Sequence, residues 1–216
     1  MIKKTLGLIA LTSIAITICA VAKAYAEPAT KTEVAKPASI ETIVLAGGCF
    51  WGVEAVFQHT KGVIDATSGY AGGKAETAEY ELVSNGDTDH AEVVKVTYDP
   101  KIITLDKLLD VFFTVAHNPT QLNYQGPDYG TQYRSAVFYN SPEQKKIVEE
   151  KIVTITKNKQ FSDTVVTKLE PLDKFYDAED YHQNYAEENP YQPYILTHDA
   201  PKVSNLKKTF PELYIK

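Results

Sequence analysis

Thr42-Ile-Val-Leu-Ala-Gly-Gly-Cys-Phe-Trp-Gly-Val-Glu-Ala-Val-Phe57 changes its periodicity halfway along. Its first five residues are an uninterrupted apolar run, which suits a strand buried on both faces. Gly47-Gly48 then supplies a turn, and Val53, Val56 and Phe57 recur at helical spacing. The stretch therefore predicts a strand, a tight turn and a helix. Cys49 stands where the turn enters the helix.

Further along, similar units recur. Val63 to Tyr70 reads as a second strand closed by Gly72-Gly73, and Glu79 to Val83 as a short helix stopped by Asn85-Gly86. Ala91 to Tyr98 is β-branched around Val94 and Val96 and predicts a strand. Leu105, Leu108, Leu109, Phe112 and Phe113 form the apolar face of a helix with Thr104 as N-cap. His117 to Thr131 shows no regular pattern, and loops of that length are often functional. Arg134 to Tyr139 predicts a strand. Ser141-Pro-Glu-Gln144 is a capping-box start with proline in the first turn, for a helix reaching about Asn158. Thr164 to Leu169 reads as a strand, Asp177 to Glu188 as helix, and the tail after Pro190 has no clear period. Several strands lie close enough for hairpins, so a mixed α+β sheet is favoured over a doubly wound parallel one.

The other end of the chain is of a different kind. Lys3 and Lys4 precede an uncharged run from Thr5 to Ala22, and Ala24-Tyr-Ala26 offers a small-x-small cleavage pattern. This predicts a signal peptide over residues 1–26 and export to a periplasmic or secreted location. An uncleaved membrane anchor is the alternative. Ile18, before Cys19, argues against a lipoprotein signal. Residues 27–39 are Ala-, Lys-, Pro-, Thr- and Glu-rich and read as a flexible linker, leaving 40–216 as one catalytic domain.

The 216-residue chain has a net charge of -6, 44% hydrophobic residues, two cysteines and one methionine, Met1. That apolar content excludes global disorder. Two cysteines cannot build a disulfide scaffold or a four-thiolate zinc site. Cleavage after Ala26 leaves 19 basic against 28 acidic side chains, a net charge of -9, which disfavours nucleic acid or an anionic membrane as partner. It also leaves Cys49 as the last sulfur atom.

A cysteine at a helix N-terminus meets free backbone N–H groups and the positive end of the dipole, both of which favour the nucleophilic thiolate. A buried, inert cysteine is the plain alternative. A cysteine–histidine hydrolase using His90 or His182, and a non-catalytic aromatic-lined binding module, also remain open. His59, His117 and His198 show no partner pattern.

Gly47-Gly-Cys-Phe-Trp-Gly52 closely resembles the active-site motif of the type A peptide methionine sulfoxide reductases. Four further blocks resemble that family in the same order: Ser68-Gly-Tyr-Ala-Gly-Gly73, Gly86-Asp-Thr-Asp-His-Ala-Glu92, Gln125-Gly-Pro-Asp-Tyr-Gly-Thr-Gln-Tyr-Arg-Ser135, and Glu179-Asp-Tyr-His-Gln-Asn-Tyr185 with Asn189-Pro190. The resemblance implies a mostly antiparallel α+β sheet with helices packed on it, a ferredoxin-like two-layer core with extensions. It implies Cys49 as nucleophile, Phe50 and Trp51 as an apolar pocket for the substrate methyl group, and Glu92 as an acid kept protonated by burial. Tyr80 and Tyr133 match tyrosines that bind the sulfoxide oxygen, and Asp128 a carboxylate that orders the pocket. The implied reaction reduces the S epimer of methionine sulfoxide, free or in proteins, and leaves a sulfenic acid on Cys49. No bound cofactor or metal is implied. The expected partners are oxidised proteins and an external thiol of thioredoxin, glutaredoxin or glutathione type, with the chain a monomer.

Some positions depart from the pattern. Ser84 stands where some relatives carry a resolving cysteine, and the tail has none. This is a one-cysteine form, whose sulfenic acid must be reduced directly by the external thiol. Asn118 stands in place of an aspartate, Tyr124 in place of a common arginine, and Asp89 where glycine is frequent.

Overall fold

A computed structural model describes residues 40–216, so the signal over 1–26 and the linker over 27–39 lie outside the described residues. In chain order the elements are β1 (Glu41–Gly47), α1 (Phe50–Gln58), β2 (Val63–Ala71), α2 (Tyr80–Val83), β3 (Ala91–Tyr98), α3 (Leu105–Val111), β4 (Tyr124–Gln125), β5 (Asp128–Tyr129), β6 (Ser135–Tyr139), α4 (Pro142–Lys157), β7 (Lys168–Pro171), β8 (Phe175–Asp177), α5 (Tyr185–Glu188) and α6 (Ala200–Thr209). Wider π-helical turns continue α3 through Phe112–Ala116 and lead into α6 at Ile195–Asp199.

Six strands form one sheet in the order β7-β6-β1-β3-β2-β8. Every pairing is antiparallel except β6 with β7. The inner four, with α1 and α3 as their crossovers, make the β-α-β-β-α-β arrangement of a ferredoxin-like core. The strands β7 and β8 extend it at either edge. The mixed, mostly antiparallel α+β architecture is thus present.

β1 explains its own sequence. Ile43 and Leu45 enter the large core under the helices, while Val44 and Ala46 enter a smaller core on the opposite face with Val93, Ala136 and Phe138. Both faces are dry, so the strand reads as continuous rather than alternating. Each fully buried large aliphatic contributes roughly 1.5–3 kcal/mol.

The helix-start signals divide. Thr104 Oγ1 accepts from the Lys107 N–H, capping α3. Ser141 Oγ accepts from the Gln144 N–H, but the reciprocal half of the capping box is not made. Gln144 instead accepts from the Asn140 N–H and donates to the Thr42 carbonyl, tying α4 to β1.

Four expectations need correction. The unpatterned loop contains the β4-β5 hairpin, pairing Tyr124 with Tyr129 and Gln125 with Asp128. The strand expected from Thr164 begins only at Lys168, opposite Ala136. Before that point the Val166 N–H goes to the Pro119 carbonyl. The helix expected over Asp177 to Glu188 is broken into β8, a 3-10 turn at Asp180–His182 and the single turn α5. Gln183 accepts from the Ser68 N–H and donates to the Ser68 and Ala178 carbonyls, and Asn184 takes a left-handed φ of 55°. These tertiary bonds override a helical composition. Finally, the tail is ordered by α6, whose Leu206 is buried in the main core. Its last residues are stitched to the turn after α1: Lys61 N–H donates to the Leu213 carbonyl and Ile215 N–H to the His59 carbonyl.

Candidate active site

The site forms where β1 hands over to α1. Gly48 has φ +88°, and a Cβ there would meet Gln125 Cβ at 2.5 Å. Only glycine fits both constraints. Cys49 follows in extended conformation as the N-cap residue, 9% exposed.

One free amide of the helix start is taken by a functional group: Phe50 N–H donates to Glu92 Oε2 at 3.0 Å. The Cys49 side chain makes no capping hydrogen bond, and the neighbouring Trp51 amide only slightly favours its thiolate. Yet the thiol is not acidified. Burial pushes its pKa well above the ordinary value, Glu92 and Asp199 push it further, and Lys202 and the Trp51 amide only partly oppose them. The helix-end argument pointed the wrong way, because desolvation of a buried anion outweighs the helix end. Glu92, on β3 and 2% exposed, is raised by the same burial to about 8, against the Phe50 hydrogen bond. Near neutral pH it carries its proton.

Aromatic rings enclose this pair. Phe50 is buried, 5.0 Å from the His182 ring and 5.9 Å from Tyr70. Trp51 stacks on Tyr185 at 3.9 Å and meets Tyr194 edge-on at 6.0 Å. Its indole N–H donates to His182 Nδ1 at 3.2 Å. That bond places the neutral imidazole's proton on Nε2, and burial keeps the ring's pKa low.

Tyr80 lies 4.4 Å from His182 and is held by its backbone N–H on Glu179, which also accepts from the Tyr70 hydroxyl. Burial of Glu179 is outweighed by these bonds, so its carboxyl lies below the ordinary range. Burial and then the charge of Glu92 raise both Tyr80 and Tyr133, and both also feel Cys49 and Asp128. Asp128 accepts from the Tyr194 hydroxyl. Ring contacts and mutual charge effects thus link the seven residues singled out by sequence.

Other residues of this space were not singled out. Tyr185, Tyr194, Asp199 and Lys202 come from the tail and the broken helix. Asp199-Ala-Pro201 is a helix-start signature that could have revealed α6 and, with it, the Asp199–Lys202 pair at 3.2 Å.

The histidines do not supply a base to the thiol. His90 accepts from the Gly73 N–H and contacts the Lys74 carbonyl with its other ring nitrogen. His117 spends its nitrogens on the Phe112 carbonyl and Ser135 Oγ, and burial lowers its pKa to about 3. With His182 committed to Trp51, the hydrolase alternative has no hydrogen-bonded base for Cys49 among the described residues. What the arrangement can do is hold a small apolar sulfur compound against a thiol, with a neutral acid and phenols around any oxygen it bears.

Comparison with known proteins agrees with this chemistry. The family profile described as peptide methionine sulfoxide reductase matches residues 41–213. Peptide methionine sulfoxide reductase MsrA 2 of Mesorhizobium japonicum is 54% identical over 182 residues, covering 84% of this chain and 93% of that protein. The MsrA 2 protein of Synechocystis is 45% identical over 172 residues, covering 80% of each. The crystal structure of Mxr1 from Saccharomyces cerevisiae in reduced form aligns with a TM-score of 0.66 at 40% identity, over 73% of this chain and 90% of that one. Methionine sulfoxide reductase A of Corynebacterium diphtheriae aligns at 0.63 with 37% identity, over 74% and 80%. With its motif, fold and pocket in agreement, the chain belongs to the peptide methionine sulfoxide reductase family and is an enzyme that reduces methionine sulfoxide, repairing oxidised methionine.

Proposed function

We propose that Cys49 is the nucleophile and Glu92 the acid of this reaction, acting on the S epimer. The observation that carries the reading is the Phe50 N–H to Glu92 bond. It fixes the acid at the first amide of α1, one residue from Cys49. The substrate's methyl group rests against Phe50 and Trp51, and its oxygen faces Glu92, Tyr80 and Tyr133, with Asp128 holding the Tyr194 side of the pocket.

A sulfoxide oxygen leaves sulfur only when protonated. Glu92 gives its proton to that oxygen as the Cys49 sulfur attacks, and takes up the thiol proton, so the site's charge is unchanged. The S–O bond of the substrate is broken, an S–O bond to the Cys49 sulfur is formed in its place, methionine departs, and Cys49 is left as a sulfenic acid, oxidised by two electrons as the sulfoxide is reduced by two. Two external thiols then return it to the thiol, releasing water and their disulfide. Burial of Cys49 suits this coupling, because the sulfur stays protonated until a substrate accepts the other proton.

The same reading makes the enzyme a one-cysteine form, monomeric, exported after cleavage at Ala26, and regenerated by a thioredoxin-, glutaredoxin- or glutathione-like donor. Mass spectrometry of the mature N-terminus tests the cleavage. With dithiothreitol, the enzyme is expected to reduce the S but not the R sulfoxide of a methionine peptide, and Cys49→Ser to abolish turnover. Equal rates on both epimers, or an active Cys49→Ser, would overturn the assignment.

A further inference from the structure

The chemistry assigned to Cys49 leaves unused an ion pair of α6 that packs against the first turn of α1. Gly52 stands three residues after Cys49, in the first turn of the helix that Cys49 precedes. A Cβ at Gly52 would collide with Asp199 Oδ1 and lie 2.7 Å from both Asp199 Cγ and Lys202 Nζ. The missing side chain lets the pair lie directly against the backbone of the first turn. Asp199 is 0% exposed and its Oδ1 contacts Lys202 Nζ at 3.2 Å. Its Oδ2 has no hydrogen-bond partner among the described residues. A buried carboxylate with one oxygen unmatched, paired to a lysine that is itself 22% exposed, is less stable than an apolar contact of the same shape. Packing alone does not explain it.

Charge does. The groups acting on the Cys49 sulfur are Glu92 from β3 and Asp199, both anionic when ionised, and Lys202 of α6, which is cationic. The neutral phenols of Tyr80, Tyr133 and Tyr194 face it as well. Asp199 itself is faced by Lys202, Asp128 and His198.

We propose that Lys202, seated on Gly52 by Asp199, is a positioning residue for Cys49: it supplies the positive charge that accompanies the sulfur while that atom is anionic. Asp199 fixes its place and tempers its effect. The inference rests on Cys49 being the nucleophile.

The test uses the full chain. Iodoacetamide modification of Cys49 is followed by peptide mass spectrometry across pH, which separates it from Cys19, alongside kcat and KM for a methionine sulfoxide peptide. Lys202→Met is expected to move the alkylation midpoint up by ~1 pH unit, so that alkylation rate and kcat below the midpoint fall about tenfold. KM holds, and Lys202→Arg restores the profile. Asp199→Asn, which leaves Lys202 unopposed, moves the midpoint down. An unmoved profile in Lys202→Met, or shifts of the same sign in both variants, overturns the proposal. Should Lys202→Met fail to fold, as circular dichroism will show, the direction in Asp199→Asn decides, and an upward or absent shift overturns it. An active Cys49→Ser sinks the nucleophile assignment itself, whereas an inactive Cys49→Ser with a flat Lys202→Met profile sinks only the role of the pair.

Discussion

Glu92 accepts one hydrogen bond in a buried setting and keeps its proton up to about pH 8. Its folded pKa lies above its ordinary 4.5, so the folded chain binds more protons than the unfolded chain between those values. The stability this group permits is therefore fully present below about pH 4.5 and is lost as pH rises towards 8. Glu54 on α1 has the same sign: it is buried, accepts from the Asn184 N–H, and is raised by burial to about 7. Glu92→Gln is expected to be more stable than the parent at pH 9, by up to roughly 4 kcal/mol, with the gain vanishing by pH 5. Its kcat should fall about a hundredfold or more for want of an acid. Urea melts and initial rates across pH check both, and a parent enzyme whose rate did not decline above pH 8 would contradict the assignment. Gly48→Ala meets a left-handed backbone and the Gln125 side chain together. A loss of roughly 2–4 kcal/mol in thermal melts is expected.

At the scale of elements, what the sequence disclosed depended on whether an element's determinants were local. β3 was legible to its last residue, because its β-branched run is its own signal. Thr104 and Ser141 announced α3 and α4 through side chains three residues from their targets. Glu179, Gln183 and Asn184 look helical in isolation, yet their bonds run to Tyr80, Ser68 and Glu54, about a hundred residues or more away. No window of sequence contains those partners. The site divides in the same manner: Cys49, Phe50 and Trp51 sit in one motif, whereas Asp199 and Lys202 reach it only through the packing of α6. That packing rests on Leu206. Leu206→Ala is expected to cost roughly 2–5 kcal/mol and, by loosening α6, to shift the Cys49 alkylation profile in the same direction as Lys202→Met. Denaturant titration and the alkylation assay together check this, and a destabilised variant with an unmoved profile would separate the helix from the thiol.

For the whole molecule the sulfur count sets the stoichiometry. Cys49 is a free cysteine, and in the one-cysteine form proposed above no second thiol resolves it. Without reductant, a chain cleaved after Ala26 should form one equivalent of methionine, and dimedone should trap one sulfenate on Cys49. Rapid-quench product analysis with intact mass checks this; two equivalents per chain would require a second thiol. Lastly, the stitch between Leu213–Ile215 and the turn after α1 acquires a meaning during biosynthesis. Chains are made from the N-terminus, so Cys49 leaves the ribosome long before α6 exists. A growing chain, or one ended before α6, carries the thiol without Tyr194, Asp199, Lys202 or Leu206. Its turnover is expected to be impaired, so that unfinished copies of the enzyme contribute little sulfoxide reduction.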